Sequence, residues 1–391
     1  MTDLPDRPTT ADPAAPVGTT DAARARIVHQ EVVKLVVLVG VACVTFFATR
    51  ALAGYNRALG LRDAAEWFER GGCQLESGNV TGAIDAFRRA TVKSPYNTRY
   101  SLELARALAI GHQNEPARNV LLALRESTPE NRDVNLQLAR LAADGQEVEE
   151  AVRYYHNTLY APWPAGEEDT RRRVRIELIR LLLAHVEVNR AVSELVALSA
   201  DVPEETASHV ELGTLFAQAG DNAHALDQFQ HALELAPDNH EALVGAGLAA
   251  FRLGNYMLAR KRLQAVSDPG EARATRELVD VILSNDPLEV RIGAAARRAR
   301  LARNLSFAER RLDNCLTTRS EPRPESDLEL RKELTTFVRQ LKRPVLEADT
   351  VESGVDLTAR IATRMASLCP PATTLDRALS LIGQRHGVGQ R

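Results

Sequence analysis

Six alanines keep step through the middle of this chain. Ala83, Ala117, Ala151, Ala191, Ala225 and Ala259 are separated by 34, 34, 40, 34 and 34 residues, and a fixed period of that size dictates an array of like units rather than one mixed core. The companions hold the same register. Four residues after each alanine stands a large side chain, Phe87, Leu121, Tyr155, Leu195, Phe229 or Leu263, and twelve before it stands Gly71, Ala105, Ala139, Ile179, Gly213 or Gly247. A small residue on one helix facing a large one on the next lets two helices approach closely. Pro95, Pro129, Pro203 and Pro237, twelve after their alanines, stop the second helix of a unit, because a proline ring cannot continue the hydrogen-bond ladder.

This pattern resembles the tetratricopeptide repeat (TPR) family of helix-turn-helix units. Trp67, Gly71, Gly78, Ala83, Phe87, Ala90 and Pro95 carry the likeness in the first unit, and Leu212, Gly213, Phe216, Gly220, Ala225, Phe229, Ala232 and Pro237 carry it in the fifth. It covers about residues 64–273, 210 of 391. The resemblance implies an all-α chain, a right-handed superhelix of about six hairpins closed by a helical C-terminal domain. The fourth unit departs from the pattern, with Ile179 where a small residue is expected and the insertion PWPAGEED before it. A bend or widening of the superhelix is expected there.

The resemblance also implies a concave binding surface made by the first helices. Its fifth positions are Phe68, Leu102, Leu136, Ile176, Val210 and Val244, and three of its ninth positions are Arg106, Arg140 and Arg180. An apolar ladder beside an arginine row suits an extended protein or peptide segment with a carboxylate, which a guanidinium grips with two hydrogen bonds. The plainer alternative is that the arginines pair with neighbouring Glu or Asp while the ladder packs beneath them. The Lys and Asn set of the TPR clamp for chaperone tails is not reproduced.

Within the sixth unit, VGAGLAA spells Gly245-x-Gly247-x-x-Ala250, a string that in a dinucleotide fold cradles a pyrophosphate. That role needs a strand before the first glycine and free NH groups at a helix start. Here the surroundings read as helix before, through and after the glycines. Gly247 occupies the small-residue place of its unit, so packing is the expected role.

Ahead of the repeats, residues 1–31 hold Pro5, Pro8, Pro13 and Pro16 among Thr, Asp and Ala and read as a disordered tail. Residues 32–53 then read as a transmembrane anchor. The run Leu35 to Thr49 is uncharged, between Lys34 and Arg50, and 22 helical residues rise about 33 Å against a hydrocarbon core of roughly 30 Å. A cleaved export signal ending at Ala51-Leu52-Ala53 and a buried soluble helix are the other readings. Flanking positive charge is balanced, so orientation rests on the resemblance to a signal-anchor, which places the repeats outside the cytoplasm. Arginine outnumbers lysine and alanine is abundant, a bias associated with GC-rich bacteria, so the expected location is a bacterial inner membrane, crossed once.

A formal net charge of -3 leaves no overall nucleic-acid footprint, and no nucleic-acid partner is expected. Residues 274–391 read as a capping helix and a C-terminal helical domain. Seven arginines between Arg291 and Arg311 make one helix basic, either a solvated face or a surface for lipid or nucleic acid. Cys43 and Cys73 sit inside helices, while Cys315 and Cys369 lie at helix ends, either joined as a disulfide or left as buried thiols. No catalytic residue, metal set or cofactor is expected. Cys369 with His386 has no visible activating group, and His224, His231 and His240 lack zinc spacing. The reading is a membrane-tethered scaffold. Its competitor is an assembly or regulatory subunit docked permanently to an envelope enzyme through the C-terminal domain.

Overall fold

The computed structural model describes residues 18–266, 270–318, 325–341 and 346–387. Among them the regular structure is 17 helices, with no strand. By its contacts the chain separates into two compact units, residues 1–162 and 163–391.

The first unit begins with α1 (Gly18–Glu76), a single helix of 59 residues. Its start differs from the sequence reading. Residues 18–31, expected to be disordered, are helical, while residues 1–17 lie outside the described residues. Between Pro16 and Pro95 there is no proline, and a helix nucleated in the apolar run extends cheaply through Ala- and Arg-rich neighbours once the costly first turn exists. For the same reason no break separates the apolar stretch from the first repeat, whose first helix is the last part of α1.

The end of α1 forms a hairpin with α2 (Val80–Lys93), and α3 (Thr98–Ile110) with α4 (Asn114–Ser127) and α5 (Arg132–Asp144) with α6 (Val148–Tyr160) form two more. Small-to-large facing is visible in the first. A Cβ on Gly71 would lie 2.7 Å from the Phe87 ring, so only hydrogen fits. Asn79, Asn97 and Asn131 cap helix starts by accepting backbone NH bonds. Between α4 and α6, Arg118 pairs with Glu147 and Glu150, and its hydrogen bond holds the Glu147 carboxyl below the usual range.

The second unit holds three further hairpins, α7 (Glu168–Ala184) with α8 (Val188–Ser199), α9 (Thr206–Gln218) with α10 (Asn222–Leu235), and α11 (His240–Arg252) with α12 (Tyr256–Leu263). Five helices follow: α13 (Glu271–Asn285), α14 (Ala294–Thr318), α15 (Glu325–Gln340), α16 (Ala348–Leu368) and α17 (Thr374–Arg385). The sequence division at 273/274 is not a gap in packing. One buried cluster joins Ala250, Tyr256 and Ala259 of the last repeat to Val279 and Ile282 of α13, Val355 of α16 and Leu379 of α17. The last repeat has an apolar face with no further hairpin to cover it, and these helices cover it.

All six intra-repeat turns place the residue five before the register alanine in the left-handed region. Gly78, Gly220 and Gly254 do so without a side-chain penalty, at φ of 78°, 79° and 73°, but His112, Gln146 and Val186 adopt it too, at 56°, 62° and 61°. The turn geometry is therefore set by the hairpin.

In the C-terminal helices, buried Asp286 receives Arg385 at 3.1 Å and His386 at 3.0 Å. Burial pushes its pKa up, but the hydrogen bonds from His386 and the Leu288 NH, with the neighbouring charges, hold it below the ordinary value. Several of the seven arginines near α14 are engaged internally. Arg297 donates to the Pro287 carbonyl, Arg300 to those of Leu283 and Asp286, and Arg311 to Asp376 and the Cys369 carbonyl. Cys315 and Cys369 are disulfide-bonded with Cα atoms 5.9 Å apart, and Cys43 and Cys73 are free thiols, both exposed.

Candidate functional site

The first helices of the second unit frame a cleft of about 520 Å³ lined by Arg180 of α7, by Thr206, Val210, Glu211, Thr214 and Gln218 of α9, and by Asn239 and Glu241 at the start of α11. Residues 207, 211, 214 and 218 of α9 recur at three- and four-residue spacing, so one stripe of that helix forms the wall. Its floor is closed. Val210 is 8% exposed and Leu215 3%.

The polar groups above this floor divide into committed and open ones. Arg180 donates to Glu211 at 2.8 Å, Thr214 donates to the Val210 carbonyl, and the Asn239 side chain accepts the Ala242 NH as helix cap. Among the described residues, Thr206, Gln218 and Glu241 make no side-chain hydrogen bond, so their donors and acceptors face water and can be exchanged for a ligand's. The Arg180–Glu211 pair is exposed, at 62% and 43% of the side chains. Such a pair holds loosely and opens at small cost.

The residues taken from sequence as a groove fall into two classes. Phe68, Leu136, Ile176 and Val210 are buried at 8–9% exposure, and Leu102 and Val244 are half-buried. Phe68 in particular stacks on Tyr100 with ring centroids 4.6 Å apart and leans on Phe87. This ladder is chiefly packing under the surface. Of the arginines, Arg106 is exposed and donates to Glu103 of its own helix at 2.9 Å, Arg180 meets Glu211 of the next repeat, and Arg140 is half-buried with interactions of its own. Arg106 and Arg140 belong to the first unit and Arg180 to the second. The cleft carries two carboxylates against one guanidinium, so its charge does not select an acidic ligand. Sequence reading missed Glu211, Gln218 and Glu241. Their register positions could have flagged them, but only packing reveals that they surround one hollow.

The helix α11 runs unbroken through Gly245 and Gly247. A Cβ on Gly247 would lie 2.5 Å from Leu263 of its own repeat, and one on Gly245 would strike the Phe229 ring of the preceding repeat, so both glycines admit neighbouring helices. Cys369 is held in the disulfide, and His386 is turned to Asp286. His224 bonds Asp221 at 2.7 Å, while His231 lies against His209. Among the described residues no three His, Cys, Asp or Glu side chains gather in a way that could hold a metal ion.

Helical hairpins in fixed register, with close helix approach and an open cleft across successive first helices, define a repeat scaffold for protein interaction. The tetratricopeptide repeat family model matches residues 48–98, 176–240 and 210–274, so those stretches carry tetratricopeptide repeats. Solved structures with the same repeats include YrrB, described as a TPR protein with an unusual peptide-binding site, at 18% identity, 46% of this chain, 91% of that one and a TM-score of 0.38. A TPR protein of Parabacteroides merdae is 11% identical over 82% of this chain and 99% of its own, TM-score 0.38. The C-terminal part of a TPR protein from Cytophaga hutchinsonii is 11% identical over 78% and 100%, TM-score 0.42. No curated protein matches the chain.

Proposed function

We propose that this TPR protein is a membrane-tethered scaffold that holds a protein or peptide segment against the first helices of its repeats. The observation that carries the reading is the cleft along α7, α9 and α11, where open polar groups stand over a packed apolar floor. An extended segment laid there exchanges water for Thr206, Gln218 and Glu241, and displaces the Arg180–Glu211 pair with little loss. The mixed charge fits a segment with both a basic and an acidic or amide group better than a purely acidic one.

The reading of a tether is supported by α1. Its residues Arg24–Glu76 contain a stretch long and apolar enough to cross a membrane, none of it buried by the rest of the chain. An anchor on a binding module raises the effective concentration of what it captures. A signal sequence passes the same test of length and composition, and the intact mass of the chain recovered from membranes separates the two. Permanent docking through the C-terminal helices has less to support it. Their apolar faces are used in two internal clusters, and from α13 onward the large apolar side chains left exposed among the described residues are Val290 and Leu328.

The direct test is crosslinking from intact membranes with a photoreactive residue at Gln218. A discrete partner is expected, lost when Glu211 and Glu241 are both changed to Lys and retained when exposed Glu234 on α10 is changed instead. A partner that ignores the double change would place recognition elsewhere.

A further inference from the structure

The longer interval before the fourth register alanine leaves its mark on α7. The helices α3, α5, α9 and α11 each begin nineteen residues ahead of their register alanine, whereas α7 begins twenty-three ahead of Ala191. One extra turn, residues 168–171, therefore overhangs the hairpin, and with the α8–α9 connection it encloses a cleft of about 640 Å³. This hollow shares no lining residue with the cleft along α7, α9 and α11. Its volume lies in the range of pockets that hold small ligands.

Most of the charge around it is already committed. Glu168 turns back to accept the Gly166 NH at 3.2 Å, Asp169 accepts a hydrogen bond from Arg172 at 2.7 Å, and Arg175 lies 3.4 Å from Glu194 of α8 with both side chains nearly buried. Two groups stay open. Arg171, on the α7 side, and Asp201, on the α8–α9 side, make no ion pair or side-chain hydrogen bond among the described residues. Arg171 is half-buried, and its Nε is shut off from water without a partner. A buried donor left unpaired has given up its water for nothing, so an incoming carboxylate meets little competition there. Asp201 is exposed and free to receive a cation. The same hollow has an apolar surface, where Leu198 is buried and Val202 and Pro203 are half-buried.

We propose that this cleft binds a short free peptide, its terminal carboxylate on Arg171, its terminal ammonium on Asp201 and an apolar side chain against Leu198, Val202 and Pro203. The end of a protein chain presents one of the two terminal charges and not both, and a plain anion would leave Asp201 facing it. The ligand is therefore a small zwitterion, distinct from the segment placed along the first helices.

Calorimetry on the full chain in detergent micelles tests this, with Ala-Leu-Ala, its N-acetyl form, its C-terminal amide and free leucine as probes. Ala-Leu-Ala is expected to bind, and each blocked form to bind about tenfold more weakly through loss of one charge-assisted contact. Arg171→Gln should erase the preference for the free acid while keeping that for the free amine, and Asp201→Asn should do the converse. Asp201 sits exposed outside the helices, so its change leaves the fold intact even if Arg171→Gln loosens the start of α7. No binding of Ala-Leu-Ala at millimolar concentration, equal affinity for the blocked forms, or preferences that survive both changes would overturn the proposal. So would leucine binding more tightly than the tripeptide, or loss of tripeptide binding when Glu211 and Glu241 of the other cleft are changed to Lys.

Discussion

The fourth and fifth repeats build one hairpin from opposite materials. In the fifth, Gly213 faces Phe229, and a Cβ there would lie 2.9 Å from the ring. In the fourth, Ile179 and Leu195 occupy those two positions, and both are fully buried. The turns differ in the same way, Gly220 at φ 79° against Val186 at 61°, the latter a β-branched residue in a region such residues avoid. First-helix length differs too, 17 residues in α7 and 13 in α9. What the repeat conserves is the geometry of a filled gap and a left-handed turn, and several residue sets satisfy it at different cost.

The largest effect expected from this contrast is at Ile179. Changing it to Ala moves the fourth repeat toward the family pattern, yet it should destabilise by about 2–5 kcal/mol because it empties a filled site. Urea unfolding of the full chain, with hydrogen exchange of α7 and α8, checks this. A neutral or stabilising result would mean that the two helices close up, and the contrast would collapse. Next is Gly213→Ala, where the added methyl meets Phe229 and crowding of about 1–3 kcal/mol is only partly offset by better helix propensity. Faster exchange confined to α9 and α10 is the expected signature.

The turns give a smaller, reciprocal pair. Gly220→Val should cost about 1–2 kcal/mol, the penalty of a side chain in the left-handed region. Val186→Gly should return about 0.5–1 kcal/mol, since glycine's chain entropy takes back part of the gain. Thermal midpoints moving in opposite directions would sharpen the comparison, and shifts of the same sign would refute it. Smallest is Arg180→Gln. Its pair with Glu211 is exposed, so stability should change by less than about 1 kcal/mol. A larger loss would show that the pair braces the cleft rather than lying loosely over it.

How far these features were legible follows from what each depends on. The alanine register was plain because burial at a helix crossing tolerates few side chains, and Ala83, Ala151 and Ala225 are indeed fully buried. The left-handed turns at His112, Gln146 and Val186 were hidden, since the usual sign of such a turn is glycine and here the hairpin imposes the conformation. Phe68 looked like a groove residue by position, but Tyr100 from the next repeat covers it. Arg297, Arg300 and Arg311 read as part of a basic face, while carbonyls brought in from other helices and Asp376 engage them.

By itself the sequence determined the helical class, the period of the array and the helix faces turned inward. These follow from local hydrogen bonding and from repeated small and large side chains, properties that need no knowledge of distant partners. Tertiary structure decided which exposed groups meet across neighbouring repeats, that the C-terminal helices close the last hairpin, and that α1 passes from the apolar stretch into the first repeat without a joint. Each of these depends on contacts between residues far apart in the chain, or on continuity of backbone through a segment with no strong preference of its own, and side-chain type alone carries no record of either.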